Sequence, residues 1–130
     1  MQPLFSIGSA ESQAAIKANF IDRIGPWAFQ SFSKNKWHQV SDEDVIEGAL
    51  VNAPEQEKKM LLELYSLPEI FRVWKSKVVI QDKLLHSSNV WIAENLFKQR
   101  SPEKFVNVAF LDASKQRERA LEHGRIIARS

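Results

Sequence analysis

Histidine is the residue type in this sequence best suited to acid–base chemistry or metal binding, and it occurs three times. His38, His86 and His123 lie on separate segments of the chain. A catalytic zinc or di-iron site commonly takes two ligands from one helix, as His-x-x-x-His or Glu-x-x-His. Neither spacing occurs, so we expect surface or boundary positions for these residues. A serine–histidine–aspartate triad stays open because its members need not be close in sequence, although no Gly-x-Ser-x-Gly elbow supports one.

Two short segments offer further candidate chemistry. The consecutive carboxylates at 42–44 (Asp-Glu-Asp) could chelate a divalent cation, but they also suit the first turn of a helix, where the helix dipole favours negative charge. We favour the helix start.

Gly8-Ser9 resembles the opening of a nucleotidyltransferase site, but that site also needs paired carboxylates for two magnesium ions, and the segment Asp22–Ile24 has only one. No phosphate loop or dinucleotide fingerprint is present either. We therefore expect a protein that is not an enzyme and needs no cofactor or metal.

The C-terminal segment, residues 112–130, is the strongest candidate for contact with a charged partner. It holds five basic and three acidic residues, and the difference of +2 equals the net charge of the whole chain. The basic residues, which form the candidate partner-binding site, are Lys115, Arg117, Arg119, Arg125 and Arg129. Such side chains bind phosphates, but the interleaved acids weaken a continuous positive field. A solvated helical face is favoured, with docking of a protein and contact with nucleic acid as the alternatives.

Composition narrows the class of protein. A chain of 130 residues with 44% hydrophobic and 26% charged residues is typical of one globular domain. The absence of cysteine excludes disulfides, thiolate metal sites and cysteine nucleophiles. No apolar run approaches the ~20 residues of a membrane span, and the first residues do not form a signal peptide. We expect a cytoplasmic protein without membrane contact.

Sequence signals near the N-terminal end predict the first of the helices that would position the candidate residues. Ser9 can cap a first helix, which Gly25-Pro26 is expected to end. Its inward stripe comprises Ile16, Phe20 and Ile24. The aromatic segment that follows is predicted to contribute three side chains to the core, namely Trp27, Phe29 and Phe32.

Two more helices follow with clear start signals. Ser41 and Asp44 have the spacing of a capping box, and Pro54 suits the first turn of the next helix. The residues predicted to face inward are Val45, Ile46, Ala49 and Leu50 in the first of these helices, and Met60, Leu61, Leu64 and Tyr65 in the second.

The segment "LPEIFRVWKSKVV", residues 67–79, mixes aromatic and basic residues, which raises the question of nucleic-acid binding. At 100° per residue, one narrow stripe contains Leu67, Ile70, Phe71, Trp74 and Val78. The opposite face carries Glu69, Arg72 and Ser76. A platform for stacking bases would need aromatic and basic side chains on the same side. We therefore assign Phe71 and Trp74 to the core.

The remaining segments also favour helices. Ser87 or Ser88 is expected to cap a helix whose apolar side chains are Val90, Trp91, Ala93, Leu96 and Phe97. Ser101-Pro102 is a typical start for the last one. Residues 104–111 fit a buried helix or a short strand, and we favour the helix. The predicted fold is all-α, a compact bundle of about six short helices with hairpins like those of helical-repeat proteins. Residues 1–111 form a single domain in this prediction, and residues 112–130 are a basic segment that is helical or partly ordered.

The central half of the chain resembles a group of small bacterial helical proteins that are encoded beside abortive-infection-type nucleotidyltransferase toxins. The resemblance rests on three segments in the order "PWAFQSF", "SDEDVIEGALVNAPEQEKKMLLELYSLPEIFRVWKSKVV" and "HSSNVWIAENLF". It implies an antitoxin-like role in binding a protein and carries no catalytic residues. We therefore expect a non-catalytic protein-binding module, with a nucleotidyltransferase-type toxin as the candidate partner. The alternative is a nucleic-acid-binding regulator that uses the basic C-terminal segment.

Overall fold

A computed structural model describes residues 10–129, with side chains described from residue 13 to residue 124. Within that range the chain is all-α and contains no strand, which confirms the predicted fold class. The six helices are α1 (Ala10–Ala28), α2 (Asp42–Asn52), α3 (Glu55–Leu64), α4 (Leu67–Val73), α5 (Asp82–Asn95) and α6 (Pro102–Arg129). The chain divides into two compact units, which we term the N-terminal unit (Met1–Ile70) and the C-terminal unit (Phe71–Ser130). The division at residue 111 stays a prediction, and α6 is continuous across that position.

The N-terminal unit buries an apolar core where α1 contacts α2 and α3. The start of α2 is as predicted, because the Asp44 N–H donates to Ser41 Oγ at 3.1 Å. All four residues predicted to face inward from α2 are fully buried. In α3, Leu61 is fully buried, and Pro54 immediately precedes the first helical residue. The predicted cap Ser9 lies outside the described residues.

The end of α1 differs from the prediction that Gly25-Pro26 stops the helix. The helix continues to Ala28, and the Phe29 N–H donates to the Gly25 carbonyl at 2.9 Å. Pro26 removes one backbone N–H donor from the helix, which ends two residues later. Gly25 serves a different purpose from the one predicted. A Cβ at this position would lie 2.2 Å from the ring of Trp37, so only glycine lets that ring contact the helix backbone.

The aromatic segment after α1 also differs from its prediction. Phe29 is buried as expected, but Trp27 and Phe32 are 45% and 47% exposed. The buried position is taken instead by Trp37, which lies in a 3₁₀ helix (Lys34–Gln39) and donates its indole N–H to the Phe29 carbonyl at 3.2 Å. Ile16, predicted to face the core from α1, is 43% exposed.

In the C-terminal unit, a turn of π-helix at Trp74–Val78, termed the π-turn, follows α4 and leads into a 3₁₀ turn at Val79–Gln81. The Val79 N–H bonds to the Trp74 carbonyl five residues earlier. This wider turn changes which residues point inward. Trp74 and Val78 are fully buried as predicted, and Val73 and Val79 join them. The expected stripe is wrong at its first member, since Leu67 is 43% exposed.

An aromatic cluster of Phe71, Trp74, Phe97 and Phe105 forms much of the core of this unit. Each of its six ring pairs has centroids 5.1–6.1 Å apart. The Trp74 indole N–H donates to the buried Asn89 Oδ1 at 2.9 Å. The four rings therefore pack against one another, and the assignment of Trp74 to the core is confirmed.

The start of α5 was predicted at Ser87 or Ser88, and this is wrong. The helix begins at Asp82, with a kink at Leu85 (φ −117°, ψ 20°). The Asp82 carboxylate accepts one hydrogen bond from Asn89 Nδ2 at 2.9 Å and contacts His86 Nδ1 at 2.9 Å. These bonds connect the residues before and after the kink. The last helix begins at Pro102 as predicted, with the Phe105 N–H donating to the Ser101 carbonyl at 3.0 Å. Residues 104–111 are helical.

Candidate binding site

A groove of about 820 Å³ lies in the C-terminal unit between the π-turn and the middle of α6, and we term it the π-turn groove. Four basic side chains line it, namely Arg72, Lys75, Lys77 and Arg117. Apolar atoms come from Phe71, Ile80 and Ala113. Within the described part of the chain, no carboxylate lines this groove. Its volume falls in the usual range for ligand pockets, roughly 300–1,000 Å³.

The π-turn places three consecutive residues, Lys75, Ser76 and Lys77, along the same groove. In a regular α-helix these positions would spread over about 200° of the surface. Side chains hold this part of the backbone in place. Ser76 Oγ donates to the Val73 carbonyl at 3.3 Å, and Gln81 Nε2 donates to the Lys77 carbonyl at 2.8 Å. Single π-turns inside helices occur frequently at functional sites.

The basic side chains of the groove differ in whether they form ion pairs with acidic residues of the chain. Lys75 Nζ forms an ion pair with Asp112, and this ammonium group lowers the pKa of the Asp112 carboxyl. By contrast, no acidic residue in the described part of the chain forms an ion pair with Lys77 or Arg117. Two positive charges at the groove are therefore not neutralised by the protein's own described carboxylates.

The second half of α6 buries none of its described side chains. Residues 115–124 are helical, and every one of their side chains is exposed. The C-terminal segment is thus helical up to Arg129. Ala113, just before this stretch, is buried, whereas Ala120 within it is exposed.

Three of the five predicted partner-binding residues have described side chains, and these three do not come together at one groove. Arg117 lines the π-turn groove, and Lys115 lines a smaller neighbouring groove of about 460 Å³. Arg119 is exposed on α6, and the side chains of Arg125 and Arg129 lie outside the described residues. Sequence reasoning missed the basic residues that precede α5. The available signal was the position of Arg72 opposite the core stripe of residues 67–79, with Lys75 and Lys77 on the two flanks of that stripe.

The histidines take surface or boundary positions. His38 Nε2 lies 2.8 Å from Asp22 Oδ1, and both side chains are exposed. His86 lies between two carboxylates, with Nδ1 at 2.9 Å from Asp82 and Nε2 at 3.1 Å from Glu103. The hydrogen bonds to Asp82 and then to Glu103 raise the pKa of His86. No group of three or more possible metal ligands occurs among the described residues.

The acidic run at 42–44 occupies the first turn of α2, as favoured from the sequence. Asp42 forms an ion pair with Lys17 and accepts a hydrogen bond from the Tyr65 hydroxyl at 3.0 Å. Lys17 is the main cause of the lowered pKa of Asp42. Burial, together with the bond to Asp42, raises the pKa of Tyr65. These residues form a structural connection between α1, α2 and the end of α3.

The chain was compared with models of protein families, with curated proteins and with solved structures, and none of them matches it. Across the described residues, no helix combines the length and the apolar character needed to cross a membrane. The candidate site therefore rests on its own geometry and charge.

Proposed function

We propose that this chain is a non-catalytic module that binds another protein through the exposed half of α6 and the adjoining π-turn groove. The observation that carries the proposal is the run of ten helical residues, 115–124, whose side chains are all exposed. Most helix stability in proteins comes from packing of one face against other structure, and these ten residues of α6 bury no side chain against the described part of the chain. A partner that covers this helix would supply that packing, in the manner of known helix-in-groove recognition.

The resemblance of the central segments to antitoxin-like bacterial proteins suggests a class of partner. A nucleotidyltransferase-type toxin in the bacterial cytoplasm is the candidate, and the module would restrain it by occupying part of its surface. Net charge gives independent support for a charged partner. The C-terminal unit has 12 basic and 6 acidic residues, whereas the N-terminal unit has 6 basic and 10 acidic ones. The formal charges of +6 and −4 make the C-terminal unit the one suited to an acidic surface.

Binding of nucleic acid is the second candidate, and the four cations of the π-turn groove favour it. Two observations weigh against it. Trp74 and Phe97 are buried and pack against each other, so these two rings offer no free surface for stacking bases. In addition, Asp112, Glu118 and Glu122 alternate with the basic residues of α6 and interrupt a positive track along the helix.

Affinity capture with matched variants tests the proposed function. The tagged full chain is incubated with native lysate, with and without nuclease, and bound proteins are identified and quantified. Leu121→Glu places a charge on the exposed half of α6, where Leu121 is 54% exposed. Leu84→Glu is the control, because Leu84 is 84% exposed on α5 of the same unit. We expect one stoichiometric, nuclease-resistant protein that binds the original chain and the Leu84 variant, but not the Leu121 variant.

Two results would overturn the proposal. If everything captured disappears after nuclease treatment, the partner is a nucleic acid and the protein-binding function is wrong. If a partner is captured equally well by both leucine variants, the exposed half of α6 is not the binding surface. Circular dichroism of each variant before capture establishes that the loss of binding does not arise from unfolding.

A further inference from the structure

We infer that the π-turn groove takes an acidic, amphipathic segment of the protein partner, with carboxylates against the basic side chains and apolar residues against the floor. This inference rests on the proposed function and adds the chemistry that selects the partner. Lys77 and Arg117 supply positive charge that no described carboxylate of the chain neutralises through an ion pair. A carboxylate would find both a flexible ammonium group and a planar guanidinium at this groove.

The apolar part of the lining distinguishes a peptide from a bare anion. Phe71 is half-buried, and its ring contacts the aromatic cluster on one side while it lines the groove on the other. Ile80 and Ala113 contribute further apolar atoms. A phosphate or a nucleic-acid backbone gains nothing from such atoms. Leucine or similar side chains of a peptide would remove these atoms from water, which favours binding.

The arrangement of the groove also fits a helical occupant. Its wall on α6 is formed by residues 113, 116 and 117, which are three and four positions apart and lie on one helix face. The opposite wall is formed by residues 72, 75 and 76, with the same spacing. Grooves between two helical walls accept a third helix with anchors at intervals of three and four residues. Acidic residues at the edges of such a helix would contact the basic side chains that line the groove.

Selection from a random 16-residue peptide library on the immobilised full chain tests the inference directly. We expect selected peptides with a net negative charge and with apolar residues three or four positions apart. Binding of a labelled selected peptide is then measured by fluorescence anisotropy at low and moderate salt. Lys77→Glu and Arg117→Glu should each weaken binding by about tenfold or more, since charge reversal at a complementary contact replaces attraction with repulsion.

Matched controls come from exposed cations of the same unit that lie outside the groove. Lys83→Glu and Arg100→Glu make the same charge changes on exposed residues, and each should change the affinity by less than about twofold if the groove is the site. The inference is overturned if selected peptides show no excess of acidic residues, or if the control variants weaken binding as much as the groove variants. A 16-residue oligothymidine that binds more tightly than any selected peptide, and loses its affinity in the groove variants, would assign the groove to nucleic acid.

Lysate capture and peptide binding can each give a negative result without the other. Leu121 does not line the π-turn groove, so the Leu121 variant should keep its affinity for the selected peptides even where it loses the lysate partner. If capture of a nuclease-resistant protein depends on Leu121 but not on Lys77 or Arg117, the module binds protein and the inference about the groove is wrong. If no nuclease-resistant protein is captured at all, the proposed function itself fails.

Discussion

Replacement of Trp74 tests the aromatic core of the C-terminal unit, and its effect follows from burial. The side chain is fully buried, and its ring centroid lies 5.1 Å from that of Phe97 and 5.7 Å from that of Phe105. Burying a large aromatic side chain removes roughly 150–250 Å² from water, which corresponds to about 4–6 kcal/mol at ~25 cal/mol/Å². Truncation of such residues in other cores costs about 3–5 kcal/mol. We expect Trp74→Ala to lower the free energy of unfolding by about 3–5 kcal/mol.

Part of that loss comes from the hydrogen bond between the indole and Asn89. Trp74→Phe keeps an aromatic ring but leaves Asn89 Oδ1 buried without its 2.9 Å donor. An unsatisfied buried acceptor costs about 1–3 kcal/mol, so this variant should fall between the original chain and Trp74→Ala. Combining Trp74→Phe with Asn89→Leu removes both polar partners. The double variant should be less destabilised than the sum of the two single changes, because neither member of the indole–amide pair is left unsatisfied, and the loss of the Asn89–Asp82 hydrogen bond is common to Asn89→Leu and the double variant.

Urea unfolding followed by far-ultraviolet circular dichroism measures these differences, since that signal does not depend on the replaced tryptophan. Trp27→Ala is a control with the same chemical change at a 45% exposed position, and it should cost clearly less. A loss below about 1 kcal/mol for Trp74→Ala would place this residue at the surface and refute the aromatic core. Additive effects of Trp74→Phe and Asn89→Leu would refute the hydrogen bond.

Three further predictions concern local features of the fold. Gly25→Ala should lower the melting temperature and cost about 1–3 kcal/mol in urea, because its Cβ would lie 2.2 Å from the Trp37 ring; unchanged stability would exclude this close contact. Ser41→Ala should cost about 1 kcal/mol through loss of the cap of α2, and Ser41→Asp, which keeps an acceptor, should restore most of it. The carboxylate of Asp82 raises the pKa of His86 in the folded chain, so protonation stabilises the fold. This contribution is complete below the pKa of an unfolded histidine, about 6.5, and is lost as the pH rises through the higher folded value. The difference in unfolding free energy between the original chain and His86→Gln should therefore shrink from pH 5.5 to pH 9, and a difference independent of pH would contradict the pairing.

Local signals in the sequence were sufficient where neighbouring residues decide the structure. The start of α2 depends on a serine and the N–H of a residue three positions later, both within one turn. Its buried face follows from helical periodicity, and all four residues assigned to it are fully buried. The start of α6 at Pro102 has the same local origin. These features need no information from distant parts of the chain.

Predictions failed where side-chain contacts outside the hydrophobic pattern decide the structure. Gly25 has the residue type of a helix end. Its lack of a Cβ, however, lets the Trp37 ring, twelve residues later in the sequence, contact the helix backbone. Ser87 and Ser88 read as caps, but the helix already begins at Asp82, whose carboxylate bonds to side chains on α5 itself. Neither contact leaves a trace in hydrophobic periodicity, so the pattern alone could not separate these positions from true helix ends.

The candidate site shows a further limit, because its residues come from segments about forty positions apart and only Arg117 was identified from the sequence. On α6, Lys115 and Arg119 lie within about 40° of each other, and Glu118 and Glu122 fall on the same side of the helix. Arg117 points about 200° away from Lys115, to the side on which Ala113 is buried. Lys115, Arg117 and Arg119 therefore do not form one positive surface: Lys115 and Arg119 share a side of the helix with two glutamates, while Arg117 lines the π-turn groove. Residues that line the groove should determine the selectivity for an acidic partner. Charge reversal at Arg117 should therefore weaken binding more than the same change at Arg119.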